Sequence, residues 1–383
     1  MSLALREYHG AKLLKPQDLG LRPLLDASSK TSSRRRILSQ SQASSNVLYD
    51  RDMGRPVLER AQGNIISSKP FIAHSTEAST QRGLLAHELI QGPLVKWSTR
   101  GSISRAPPTC VLVHGIMGSR RNMLNFALRL TRTFPSWQVL LADLRCHGQS
   151  AHMGPGMPDN SVESAAADVL ELLRHLRLFP EILIGHSFGG KVIMSMADQF
   201  GRIGPRLPRP VQVWVLDALP GSMAEAAGPE LRHRKDHPQD LIDRLQEYPL
   251  PVESRAALQN HLVQHGFSLG VASWVTSNLR PSQDDPRKSL WSFDLKGIGE
   301  MYRSYEARSF WPFLSAPTQG IHIHFVRAQH SSYNWTRADL DRLAAYGHGV
   351  HTLVEAGHWL HTDNPEGLLQ ILTPAFTNMP RLS

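Results

Sequence analysis

Cysteine is almost missing from this chain of 383 residues: there are two, Cys110 and Cys146. Both stand in or beside apolar runs that read as core strands, so no disulfide framework is expected and a reducing compartment is the default. No apolar run approaches the roughly 20 residues that cross a bilayer, so no transmembrane segment is expected. Acids are scarce at the front. Up to Tyr49 there are only Glu7, Asp18 and Asp26, against Arg6, Lys12, Lys15, Arg22, Lys30, Arg34, Arg35 and Arg36. Much of the net charge of +9 therefore sits in this leader, and no basic stripe interleaved with aromatics follows later. A nucleic-acid partner is not expected. The alternating histidines His322 and His324 have no carboxylate or cysteine partner at ligand spacing, so neither a metal nor any other cofactor is called for.

What the front does have is serine: Ser28, Ser29, Ser32, Ser33, Ser39, Ser41, Ser44 and Ser45. A Ser-rich, Arg-rich, acid-poor leader without an apolar centre resembles an organellar transit peptide, chloroplast before mitochondrion. Residues 1–80 are read as a disordered leader, polar and irregular from Asn46 on.

The stretch that organises the remainder runs from Glu181 to Met196. An apolar strand, Glu181 to Ile184, ends at Gly185-His186-Ser187-Phe188-Gly189, and an apolar helical pattern follows at once. That is the strand, sharp turn and helix of a nucleophile elbow. Such a turn tolerates only tiny neighbours, which Gly185 and Gly189 provide. It lifts the Ser187 hydroxyl out of the sheet and leaves the Phe188 peptide N–H facing the point of attack, at the positive end of a helix dipole.

Thr109–Val113 reads as a buried strand that runs into His114-Gly115-Ile116-Met117-Gly118-Ser119. A loop of this form supplies the other half of an oxyanion hole, with the N–H of Ile116 as candidate donor and Met117 next. Two peptide donors aimed at a developing oxyanion contribute a few kcal/mol each to lowering the barrier. Leu84–Ile90 and Val95–Thr99 read as a hairpin around Gln91-Gly92-Pro93. Gln138–Ala142 is a further strand. It opens into Asp143-Leu144-Arg145-Cys146-His147-Gly148-Gln149-Ser150, where Asp143, Arg145 and His147 read as a structural ion-pair and turn network. Helices are expected at Arg121–Thr133 and Ser161–Leu178. Strand alternating with helix implies a mostly parallel, doubly wound sheet.

Val211–Leu216 is the strand after the elbow helix, ending at Asp217. An acid there lies on the same rim as the elbow. From Ser222 to Phe313 the pattern changes to helices without strands, which reads as a cap inserted over the site. Trp274, Trp291, Phe293, Tyr302 and Phe310 are candidates to wall an acyl pocket. The core is assigned to 81–221 and 314–383, the cap to 222–313. After the last strand, Val350–Glu355, comes Ala356-Gly357-His358-Trp359. A histidine on that loop holds the place of the general base in a Ser…Asp…His order, and His361 is its rival. The turn after the strand at Ile321–Val326 carries Ser331 and no carboxylate, so the acid comes from elsewhere, with Asp217 ahead of Asp294.

Together the His114–Ser119 loop, the Asp143–Ser150 loop, Gly185-His186-Ser187-Phe188-Gly189-Gly190-Lys191 and Gly357-His358-Trp359 resemble the serine esterase branch of the α/β-hydrolase superfamily, from about Leu84 to Phe376. The resemblance implies hydrolysis of a carboxylic ester or thioester of a small-molecule acyl substrate. Ser187 would be the nucleophile, His358 the base, Asp217 the orienting acid, and the amides of Phe188 and Ile116 the oxyanion hole. An acyltransferase, or a ligand receptor or scaffold on the same fold, would carry the same motifs. The oligomeric state is not legible.

Overall fold

The computed structural model describes residues 72–73, 83–95, 106–151, 159–202, 212–226 and 236–377. All of them fall in the second of two compact units, 66–383. The transit-peptide reading, and the Val95–Thr99 strand beyond its first residue, lie outside the described residues. Ile72 and Ala73, given to the leader by their polar surroundings, form a two-residue strand.

In chain order the elements are β1 (Ile72–Ala73), β2 (His87–Gln91), β3 (Thr109–Val113), α1 (Arg120–Thr133), β4 (Gln138–Ala142), α2 (Val162–Leu176), β5 (Pro180–His186), α3 (Phe188–Arg202) and β6 (Gln212–Leu216). An inserted segment follows, with α4 (Met223–Ala226), α5 (Pro238–Glu247), α6 (Arg255–Gln264), α7 (Leu269–Thr276), β7 (Leu279–Pro281), β8 (Ser289–Trp291), α8 (Leu295–Ala307) and α9 (Trp311–Ser315). The chain closes through β9 (His322–Ala328), α10 (Arg337–Ala345), β10 (Gly349–Leu353), α11 (Leu360–Asp363) and α12 (Pro365–Thr377).

Eight strands form one sheet in the order β1-β2-β4-β3-β5-β6-β9-β10. The pairs β1/β2 and β2/β4 are antiparallel, and every pair from β4 to β10 is parallel. The central parallel strands β3, β4, β5 and β6 are short apolar runs buried on both faces, as crossover helices require, while β10 at the edge is only half-buried. Alternate side chains feed two separate cores. Val111, Leu183, Val213 and Phe325 pack with the face that carries α2, α3 and α8. Leu112, Ile184, Trp214 and Val326 pack with α1 and α12.

Register fixes where the site is built. Val113 pairs with Gly185, His186 with Leu216, Leu216 with Val326, and Ala328 with Leu353. The loops leaving β3, β5, β6, β9 and β10 therefore emerge side by side on one rim, the carboxyl ends of the strands.

β2 pairs with β1 and with β4, His87 opposite Ala142, and the Gln91-Gly92-Pro93 turn bonds across to Pro135 and Trp137; residues 96–99, the expected hairpin partner, lie outside the described residues. One expectation is corrected. The insertion is not purely helical. Leu279–Pro281 and Ser289–Trp291 pair antiparallel, and Val252 bridges to Ser289. Strands of three residues are too short to show a period of two.

Candidate active site

The elbow is built by close backbone packing. Ser187 has φ 53, the left-handed region that L-residues other than Asn and Asp rarely adopt. Its N–H bonds to the Leu216 carbonyl at 2.8 Å and its carbonyl accepts from Gly190 N at 2.8 Å, which pins the turn between β6 and α3. A Cβ on Gly185 would overlap the Gly189 carbonyl, and a Cβ on Gly189 would lie 2.6 Å from the His114 carbonyl oxygen. Both positions thus admit no side chain. Asp217, the first residue after β6, repeats the arrangement with φ 45 and its N–H on the Val326 carbonyl at 2.8 Å. Strain of this kind costs on the order of 1–3 kcal/mol per residue and persists only where surrounding packing enforces it.

Asp217 is fully buried and its carboxylate is saturated. Oδ2 accepts from His358 Nδ1 at 2.9 Å and from Ser331 Oγ at 2.9 Å. Oδ1 accepts from Ala328 N at 3.1 Å and from Trp335 Nε1 at 3.4 Å. A carboxylate can only accept, so the proton of neutral His358 is on Nδ1, and Nε2 is left as the acceptor. The structure thus brings Asp217 to His358 across 141 residues of sequence. Ser187 and His358 line one cavity of about 690 Å³.

Asp294, the competing acid, is elsewhere. It is the N-cap of α8, accepting from Lys296 N and Gly297 N at 3.1 Å each. His361 is buried and touches the His186 ring at 5.1 Å between centroids. Burial pushes it down to about 4, so it is neutral across the physiological range.

Of the two candidate oxyanion donors on the first loop, the Met117 N–H is taken. It donates to His147 Nε2 at 2.9 Å. Among the described residues, the Ile116 and Phe188 amides have no hydrogen-bond partner. The loop approaches the elbow closely, since a Cβ on Gly115 would lie 3.2 Å from Ser187 Cβ.

Three histidines hold this arrangement: His147, expected only as part of a turn network, and His114 and His186, to which the sequence reading gave no role. His147 donates from Nδ1 to the Arg145 carbonyl (2.7 Å) while accepting from Met117. His114 donates from Nδ1 to the Gly115 carbonyl (2.8 Å) and accepts from Leu144 N at 3.0 Å. His186 donates from Nε2 to the His358 carbonyl at 2.6 Å, fixing the backbone of the loop after β10. Burial drives all three well below the usual histidine range, to about 4 for His114 and about 3 for His147, so each is a neutral ring with a fixed tautomer. Their number hid them: 19 histidines dilute each one's signal. Asp143, Arg145 and His147 form the structural network expected of them, His147 bonding to the Arg145 carbonyl and the two charged groups finding their ion-pair partners outside the loop. Asp143 pairs with Arg120, and Arg145 grips Asp168 through two hydrogen bonds of 2.6 and 2.7 Å.

The insertion contributes Pro238, Leu241, Val271 and Trp274 to the cavity wall, with Asp236 and Ser268. Of the five aromatics expected there, only Trp274 lines it. Trp291 and Phe293 stack on each other at 4.9 Å, and Tyr302 and Phe310 are buried in the core that the insertion shares with the sheet. His324 stacks on Trp214 at 4.1 Å and does not line the cavity.

Comparison with known proteins agrees with this architecture. A mouse protein, sn-1-specific diacylglycerol lipase ABHD11, is 26% identical over 273 residues, covering 70% of this chain and 80% of its own. Esterase YbfF of Escherichia coli is 24% identical over 267 residues, 68% of this chain and 90% of its own. Among solved structures, a marine microorganism esterase superposes with a TM-score of 0.59 at 21% identity, over 76% of this chain and 99% of that one, which shows a shared fold. Residues 110–371 match the family described as alpha/beta hydrolase, and the chain belongs to that family.

Proposed function

We propose that the protein is a serine hydrolase that cleaves carboxylic ester or thioester bonds through an acyl-enzyme. The observation that carries this reading is the Asp217–His358 hydrogen bond, made on the rim where the elbow presents Ser187. Ser187 Oγ attacks the acyl carbonyl carbon as its proton passes to His358 Nε2. The imidazolium that forms is stabilised by the carboxylate on its other nitrogen. The carbonyl oxygen becomes an oxyanion held by the free amides of Ile116 and Phe188. His358 then gives its proton to the departing alcohol or thiol, leaving Ser187 as an ester. Water, losing a proton to the same Nε2, attacks that ester and releases the acid. The chemistry closes without a metal or redox partner.

The acyl group belongs beside Leu241, Val271 and Trp274, and a cavity of about 690 Å³ suits a medium chain. The insertion, which supplies that wall, is the cap of residues 222–313. Relatives named as lipases and esterases support a neutral small-molecule ester as substrate. The leader supports an organellar address, chloroplast before mitochondrion.

The test is turnover of a panel of acyl esters and thioesters by the wild type and Ser187→Ala. Loss of kcat by on the order of 10⁵–10⁶-fold in the variant is expected. Equal activity in both would remove Ser187 from the mechanism.

A further inference from the structure

Lys191 is fully buried in α3, three residues after Phe188. A buried amine normally faces a carboxylate, but this one faces carbonyls. Its Nζ donates to Gly221 O at 2.8 Å, to Tyr305 O at 2.7 Å and to Arg308 O at 2.6 Å, and it lies 4.4 Å from the centre of the Tyr305 ring. An ammonium has three donors, and here each has one acceptor.

The three acceptors come from two separate places in the chain. Gly221 is where the insertion leaves the core, four residues beyond Asp217. Tyr305 and Arg308 are where α8 ends and the chain returns. The two ends also meet directly, Phe310 N on the Pro220 carbonyl at 2.8 Å. From Tyr305 a further link runs to the site: its hydroxyl donates to Tyr333 OH at 3.0 Å, and the Tyr333 ring is 5.4 Å from the His358 ring.

Desolvation opposes this placement. Burial pushes the amine down to about 7, although Glu225, Glu306 and Glu163 pull it up from a distance, while Arg308 pushes it further down. Packing alone would be served by an apolar side chain at lower cost. What the amine adds is direction, fixing two remote backbone segments against the helix that carries the proposed oxyanion donor.

We propose that Lys191 is a positioning residue that registers the insertion over Ser187, by holding both ends of it on the elbow helix through the carbonyls of Gly221, Tyr305 and Arg308. This rests on the reading of Ser187 as nucleophile. Esters whose acyl chain reaches Leu241, Val271 and Trp274 depend on that registration. An acetyl group, which ends near Ser187, does not.

The experiment compares full-length wild type with Lys191→Met, which keeps the stem and removes all three donors. The readouts are kcat and KM for p-nitrophenyl acetate and p-nitrophenyl octanoate, and the rate of Ser187 labelling by a small fluorophosphonate. The expected result is an octanoate KM raised about tenfold, with acetate kcat/KM and labelling changed less than about threefold, the pattern of lost substrate binding rather than lost chemistry. A fall by one common factor for both esters, or no change in either, would overturn the proposal. If Lys191→Met does not fold, Lys191→Gln, which keeps two donors, is read for the same octanoate-to-acetate ratio. A wild type that neither labels nor turns over acetate would refute the serine mechanism instead, so the two failures are distinguishable.

Discussion

The Asp217 carboxylate, on the loop leaving β6, accepts the Nδ1–H of His358, on the loop leaving β10, at 2.9 Å. Strand β9 lies between β6 and β10. In the loop after β9, Ser331 stands where a late acid would stand and donates to Asp217. The acid and the residue that replaces it in sequence are thus joined by one hydrogen bond.

Asp217→Asn should lower kcat by on the order of 10³–10⁴-fold while leaving the fold intact, because an amide favours the wrong imidazole tautomer. Asp294→Ala should leave kcat unchanged and reduce stability by about 1 kcal/mol through loss of a helix cap. Steady-state kinetics and urea titration of the two variants separate the candidates. The reverse pattern would move the acid to Asp294.

Ser331→Ala removes one of four donors from a buried carboxylate. A hydrogen bond to a charged group is worth about 1.5–3 kcal/mol, so kcat should fall by roughly tenfold to a hundredfold, well short of the Asp217→Asn effect. An unchanged kcat would show that Ser331 does not act on the acid.

Gly189→Ala places a methyl group 2.6 Å from the His114 carbonyl oxygen. The strand-to-helix turn and the loop carrying Ile116 must then separate, and the two amides cannot address one oxygen. Loss of kcat by about 10²-fold or more is expected, the scale of one lost oxyanion donor. Hydrolysis at the wild-type rate would contradict the close approach of the two loops.

The fold should lose stability in mild acid. Unfolded imidazoles take up protons near 6.5, whereas His114 does so near about 4 and His147 near about 3. Between those values the unfolded chain binds more protons. The neutral rings' contribution is therefore complete above about pH 6.5 and is lost as pH falls toward 3–4, by up to about 1.4 kcal/mol per pH unit for each ring. Urea midpoints from pH 7.5 to 4.5 measure this, and His147→Gln should flatten the slope. An equal slope in the variant would mean that His147 is not held neutral.

Much of this was legible in the sequence because the chemistry is local. Gly185-His186-Ser187-Phe188-Gly189 specifies its own turn, and apolar runs of five to seven residues specify buried parallel strands. Asp217 was legible as a strand-end acid, since register places every strand end on one rim. The partners of His147, His114 and Lys191 were not. Each bonds to backbone atoms between 1 and 117 residues away, and a backbone partner leaves no mark in the sequence. The β7–β8 hairpin was missed because three residues show no period, and the cavity wall because aromatic residues serve the core of the insertion as readily as its surface.

The most direct test of the account is reaction of the purified protein with a fluorophosphonate, followed by peptide mapping. Labelling at Ser187 that disappears in His358→Ala is the predicted result. A well-folded protein that stays unlabelled would contradict an activated serine and point to a receptor or scaffold on the same fold.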